Sequence, residues 1–220
     1  MVRALLCMRR HRPGRLVVAL IVLCAVPARA RSAADGPTAR LAAGARAECE
    51  AGRDAEVRVE RKAHFERGQE LAEQAIALDE RNAEAHFALF CNMGELMRLD
   101  GESVSSVMML RRLMAEIDRT LELDPTHTDA LAAKGTLLIR LPRLLGGDAR
   151  KGEELLRQVV QQDPNAVSSR LVLAKTCEER GDRDEALAFA TRALQIARAQ
   201  GRADKVAEAQ AMLAELRGEQ

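Results

Sequence analysis

The chain has 220 residues with 34 Lys+Arg against 33 Asp+Glu, and it contains no Trp and no Tyr. Ala, Leu, Glu and Arg dominate and β-branched runs are nearly absent, so the composition argues for helices throughout and against a strand-rich fold.

Met1–Arg15 carries five arginines and no acid. The apolar run LVVALIVLCAV (Leu16–Val26) follows, then Pro27 and the triplet Ala28-Arg29-Ala30. That order predicts a secretory signal cut after Ala30. The run is shorter than the ~20 apolar residues a membrane span needs, so no span is expected after cleavage. The residues around Arg9-Arg10 fit a twin-arginine signal poorly, and bulky Leu23 ahead of Cys24 argues against a lipid-anchored start. Arg31–Pro37 reads as a flexible lead. The signal takes six arginines and leaves 28 basic and 33 acidic residues. With no basic block remaining, a nucleic-acid partner is excluded. Cys49, Cys91 and Cys177 remain, an odd number that allows at most one internal disulfide, and the reading favours three small semi-buried thiols.

Internal similarity organises the rest. NAEAHFALFCNMGEL (82–96), HTDALAAKGTLLIRL (127–141) and NAVSSRLVLAKTCEE (165–179) align. Each follows a similar tail, IALDE, LELDP or VQQDP, with the shared aspartate at Asp79, Asp124 and Asp163. Proline after two of these aspartates cannot continue a helix. The last unit predicts helix A over about 167–180, a Gly181-Asp182 turn, and helix B over 184–199 with Ala186, Ala190 and Ala193 on one face. This resembles the tetratricopeptide repeat, a helix-turn-helix unit of about 34 residues. The units here run longer. About eleven extra residues near Asp100-Gly101 are expected to lengthen the first full hairpin by about 8 Å and make it protrude. The expected architecture is all-α, a tetratricopeptide-like solenoid over 38–217. Its repeats are 38–80, 82–125, 127–164 and 166–200, with a capping helix at 203–217.

LPRLLGGDARKGEE (141–154) invites a second reading, because glycines ahead of a helix start can cradle phosphate. The spacing is not that of a P-loop and no strand precedes it. It falls where Gly181-Asp182 falls in the next unit, so Gly146, Gly147 and Asp148 are read as a structural turn, with both glycines in unusual backbone angles and Asp148 as a cap.

AEAH opening the first full unit, the long insertion before LELDP, and the LPxxLGGD turn also resemble a more specific family. These marks span about 57–180 and are similar to the exported TatT-type proteins associated with TRAP transporters, and to regulators of microtubule dynamics. The resemblance implies a periplasmic, non-enzymatic scaffold or carrier with no cofactor. Its protein partner would be a peptide segment or a TRAP transporter component, its alternative cargo a small apolar ligand, and self-association into a homo-oligomer is compatible. Of the family's aromatic positions only Phe87 and Phe90 are kept.

No catalytic or metal-ligating pattern stands out. His64, His86 and His127 lack HExxH or CxxC company. Ser103, Ser105 and Ser106 suit a helix start better than nucleophilic attack. The binding surface is expected on helix A of each unit: Glu84, Phe87, Cys91 and Glu95; Asp129, Ala132, Thr136 and Ile139; Ser168, Leu171, Lys175 and Glu178. These residues include few cations, which favours a basic or amphipathic segment over an acidic one. Among the hairpin methionines, Met97, Met108 and Met109 are candidates for an exposed apolar surface.

Overall fold

Nine α-helices and one 3₁₀ turn run through the described residues, 36–101 and 105–218 of a computed structural model, and no strand occurs among them. The signal segment, its cleavage site, most of the flexible lead and Ser103 lie outside the described residues, as do the side chains of Ser105 and Ser106. The helices are α1 (Pro37–Asp54), α2 (Arg58–Leu78), α3 (Ala83–Asp100), α4 (Ser105–Leu123), α5 (Thr128–Arg140), α6 (Ala149–Gln162), α7 (Val167–Arg180), α8 (Arg183–Ala199) and α9 (Ala203–Arg217). Consecutive pairs fold as hairpins, α1 with α2 through α7 with α8, and α9 packs on α8 and α7.

The recurring aspartate has a local cause. Asp79, Asp124 and Asp163 each end a B helix, and each accepts from the backbone N–H two residues on, at 3.0, 2.9 and 2.8 Å. This side-chain turn stops the helix and aims the chain into the next unit. Two of the three A helices that follow are then capped by side chains: Asn82 accepts from the Ala85 N–H at 2.9 Å, and His127 Nδ1 from the Ala130 N–H at 3.3 Å, while α7 starts at Ala166 with no side-chain cap.

Close packing uses small residues. Ala186, Ala190 and Ala193 are wholly buried between α7, α8 and α9. In the α5–α6 hairpin Gly135 faces Gly152, and a Cβ on Gly152 would lie 2.6 Å from the Gly135 carbonyl oxygen. Where the repeat pattern wants an aromatic ring, buried Arg170 instead donates to the carbonyls of Ala166 (2.7 Å) and Val160 (3.3 Å), closing the end of α6.

The long first full hairpin outreaches α5 and α6, of 13 and 14 residues, but it is backed by α1 and α2 on its other side. Its α3 has 18 residues, but α1 and α2 have 18 and 21, so the first hairpin runs alongside the extra turns. The far half of α3 is held by a Cys49–Cys91 disulfide, by Arg53 on Glu95 at 2.7 Å, and by Arg58 donating to the Leu99 carbonyl. The disulfide also corrects the expectation of three free thiols; among the described residues Cys177 alone stays reduced, and it is buried. Spacing could not reveal it, because the pair forms only when α1 packs on α3.

In the 141–154 turn, Gly146 is left-handed at φ 90°, matching Gly181 at φ 89° in the next unit. Gly147 has no positive φ. It is needed because a Cβ there would sit 1.7 Å from the Leu141 carbonyl oxygen. Asp148 Oδ1 accepts from the Lys151 N–H at 3.0 Å and caps α6. Asp148→Ala is expected to cost about 1 kcal/mol in urea unfolding, with no change in ligand binding at the groove described below.

Candidate functional site

Helices α1, α3, α5 and α7 share one side of the stack and enclose a groove of about 580 Å³. At its centre the Arg46 guanidinium lies 4.6 Å from the Phe87 ring centroid and reaches Asp129 at 3.0 Å and Glu84 at 3.5 Å. Phe87 stacks on Phe90 at 5.9 Å and leans on His127 at 4.7 Å. Because His127 Nδ1 accepts from the backbone, Nε2 is left to donate to Glu84 at 3.2 Å. Capping thus orients a side chain that in turn fixes the groove's carboxylate.

Of the residues expected here, Phe87, Cys91, Asp129, Ala132, Thr136 and Ser168 line the groove. Cys91 offers no thiol, being bridged. Glu84 sits at the edge in the Arg46 network, and Glu95 is buried under Arg53 and Arg98. Ile139 instead approaches Gly152 of α6. On α7 the capping helix intervenes: Leu171 is buried in a cluster with Ala209, and Lys175 pairs with Glu178 and with Glu215 of α9. The groove therefore fades where α9 covers α7.

The expectation of few cations is overturned. Arg46, Arg53, Arg98, Arg140 and Arg202 line the groove, against Glu50 and Asp129. Helix A of the first, degenerate unit supplies two of these arginines, and Arg98 and Arg140 stand in the last turns of α3 and α5. A signal did exist, since α1, α3, α5 and α7 each carry arginine in the last turn, at Arg53, Arg98, Arg140 and Arg180. These arginines lie off the i, i+3, i+7 positions counted from each helix start.

The methionine surface is also corrected. Met97 and Met109 pack against the core cluster containing Leu89, Met93 and Leu113, as long side chains at helical spacing do when a neighbouring helix covers them. Only Met108 is open, at 77 % exposure. A separate pocket of about 400 Å³ between α4 and the 3₁₀ turn is lined by Val107, Leu110, Met114, Leu144 and Leu145 among others, without Met108.

Glu153, Cys177 and Glu185 bring their ligand atoms within 4.8 Å of one another. Both carboxylates are already engaged: Arg157 reaches Glu153 at 2.7 Å and Glu185 at 2.8 Å, and Arg180 reaches them at 2.7 and 3.2 Å. Two fixed guanidiniums oppose a cation there, so the cluster is an ion-pair network clamping α6, α7 and α8. Burial pushes the Cys177 thiol up to about 11, with the Glu185 contact adding to it, which keeps the sulfur protonated. Burial also raises Glu153, but its bonds to Arg157 and Arg180 outweigh that and hold it below the usual carboxylate range. A lowered folded-state pKa stabilises above the unfolded value and is lost as pH falls through the folded one. Urea midpoints should therefore drop below about pH 4.5, and Glu153→Gln should flatten that drop while lowering stability at neutral pH. An undiminished acid response in the variant would contradict the assignment.

Residues 143–203 match the tetratricopeptide repeat family. TTC0263, a thermophilic TPR protein of Thermus thermophilus, superposes with a TM-score of 0.54 at 21 % identity, over 80 % of this chain and 89 % of that one. MamA from Desulfovibrio magneticus gives 0.51 at 14 % identity, over 84 % and 96 %. The fold is a tetratricopeptide-like solenoid. No curated protein matches the sequence.

Proposed function

We propose that this chain is an exported, non-enzymatic adaptor that holds a segment of a protein partner in the groove of its A helices. The observation carrying this reading is the groove itself, an open cleft within the ~300–1,000 Å³ range of ligand sites, walled by the A helices of four successive units and lined by Phe87, Phe90 and Leu137. Export is supported by the signal-like start of the sequence and by the Cys49–Cys91 bridge, since disulfides persist in oxidising compartments. The non-enzymatic reading is supported by the three described histidines, each held by protein partners: His64 by Glu48, His86 by Glu116 and the Glu80 carbonyl, His127 by Glu84. Service to a TRAP-type transporter in the periplasm is the finer form of the proposal and rests on the AEAH, insertion and LPxxLGGD marks.

The α4 pocket favours a second reading. Its lining of Val107, Leu110, Met114, Leu144 and Leu145 would suit a small apolar cargo. Native mass spectrometry of the purified, disulfide-intact protein separates the two and reads oligomeric state at the same time. A clean polypeptide mass is the result expected of the adaptor, and a stoichiometric bound small molecule would favour the carrier.

A further inference from the structure

The groove's charge runs against the rest of the protein. Beyond the signal-like start acids outnumber bases, yet five arginines face this one cleft against two acids. Each A helix ends with a partial negative charge of about half a unit, and the full charge of a terminal guanidinium exceeds it and projects further out. Several of these arginines have capacity to spare. Arg140 makes no ion pair among the described residues, and Arg53 and Arg98 share the single carboxylate of Glu95. Arg46 is held between Asp129 at 3.0 Å and Glu84 at 3.5 Å, both of them solvent-accessible carboxylates with which an incoming one could exchange. Guanidinium forks suit carboxylates in particular, because both are planar and can pair through two parallel bonds.

Building on the adaptor reading, we infer that the groove selects an acidic segment of its partner, with carboxylates on Arg46, Arg98 and Arg140 and a neighbouring apolar side chain on the Phe87–Phe90 shelf. Asp129 is then the internal competitor. It already occupies Arg46 Nη2 and is exposed on its outer side, so it acts as a stand-in carboxylate that weakens acidic ligands.

The test is a displayed random-peptide selection on the purified, disulfide-intact protein, followed by fluorescence anisotropy with a fluorescein-labelled peptide synthesised from the enriched set. Enrichment in Asp and Glu beside an aromatic or aliphatic residue is the expected outcome. Arg140→Glu should weaken that peptide about tenfold or more, and Asp129→Asn should tighten it severalfold. Raising salt from about 50 to about 500 mM should weaken it too. Both positions are exposed, so the variants should fold, which circular dichroism would check. Enriched neutral or basic peptides, or affinities indifferent to both substitutions, would overturn the acidic preference while leaving the adaptor reading intact. No enrichment over an unrelated helical protein would overturn both.

Discussion

Replacing Cys49 and Cys91 together by alanine is expected to lower stability by about 4 kcal/mol and Tm by about 10 °C. The bridge closes a loop of 42 residues, and freeing that loop restores chain entropy to the unfolded state. The native side loses less. Both sulfurs sit in a cluster with Phe65, Leu96 and Leu99, and two alanines there give up little apolar area. The bridge also fixes α1, which carries Arg46 and Arg53, against α3, which carries Phe87 and Arg98. Ligand affinity at the groove should therefore fall along with Tm. Thermal unfolding followed by circular dichroism checks the first effect, for the double variant and for the wild type with and without reductant. A Tm that ignores both reduction and substitution would contradict the account.

Gly152→Val is expected to cost about 3 kcal/mol, at the upper end of what overpacking does. Two effects compete. A β-carbon reduces the backbone freedom of the unfolded chain, and valine favours helix over glycine by ~0.5 kcal/mol. Against it, the new carbon would lie 2.6 Å from the Gly135 carbonyl oxygen and 2.7 Å from Ile139 Cγ1. The first of these is backbone and cannot rotate away, so α5 and α6 must separate. The clash wins, and urea unfolding should show it as a lower midpoint. Gly146 makes a contrasting position, since a side chain there meets nothing within 4 Å and the strain comes only from φ 90°.

The fold was legible because its determinants are local and repeated. The aspartates at 79, 124 and 163 recur with their turns, and Ala186, Ala190 and Ala193 mark a close helix face. The site was legible only in part. Phe87, Asp129, Ala132 and Thr136 follow from helix periodicity, because α3 and α5 meet the groove along their length. Arg46 and Arg53 lie on the most degenerate helix, where no motif announced a groove-facing side. Leu171 and Lys175 obey the same periodicity but are claimed by α9, which a count within one repeat cannot anticipate. The Cys49–Cys91 pairing and the Arg157–Arg180 clamp likewise depend on which helices come together, and no single segment encodes that.

The central claim is that the A-helix groove, rather than the outer face of the stack, receives the partner. Site-specific photo-crosslinking in living cells tests it most directly, with the photoreactive residue placed at groove-lining Thr136 or at Ala188 on the exposed side of α8. A discrete adduct is expected from position 136 and none from position 188. Equal adducts from the two positions, or an adduct from 188 alone, would contradict it.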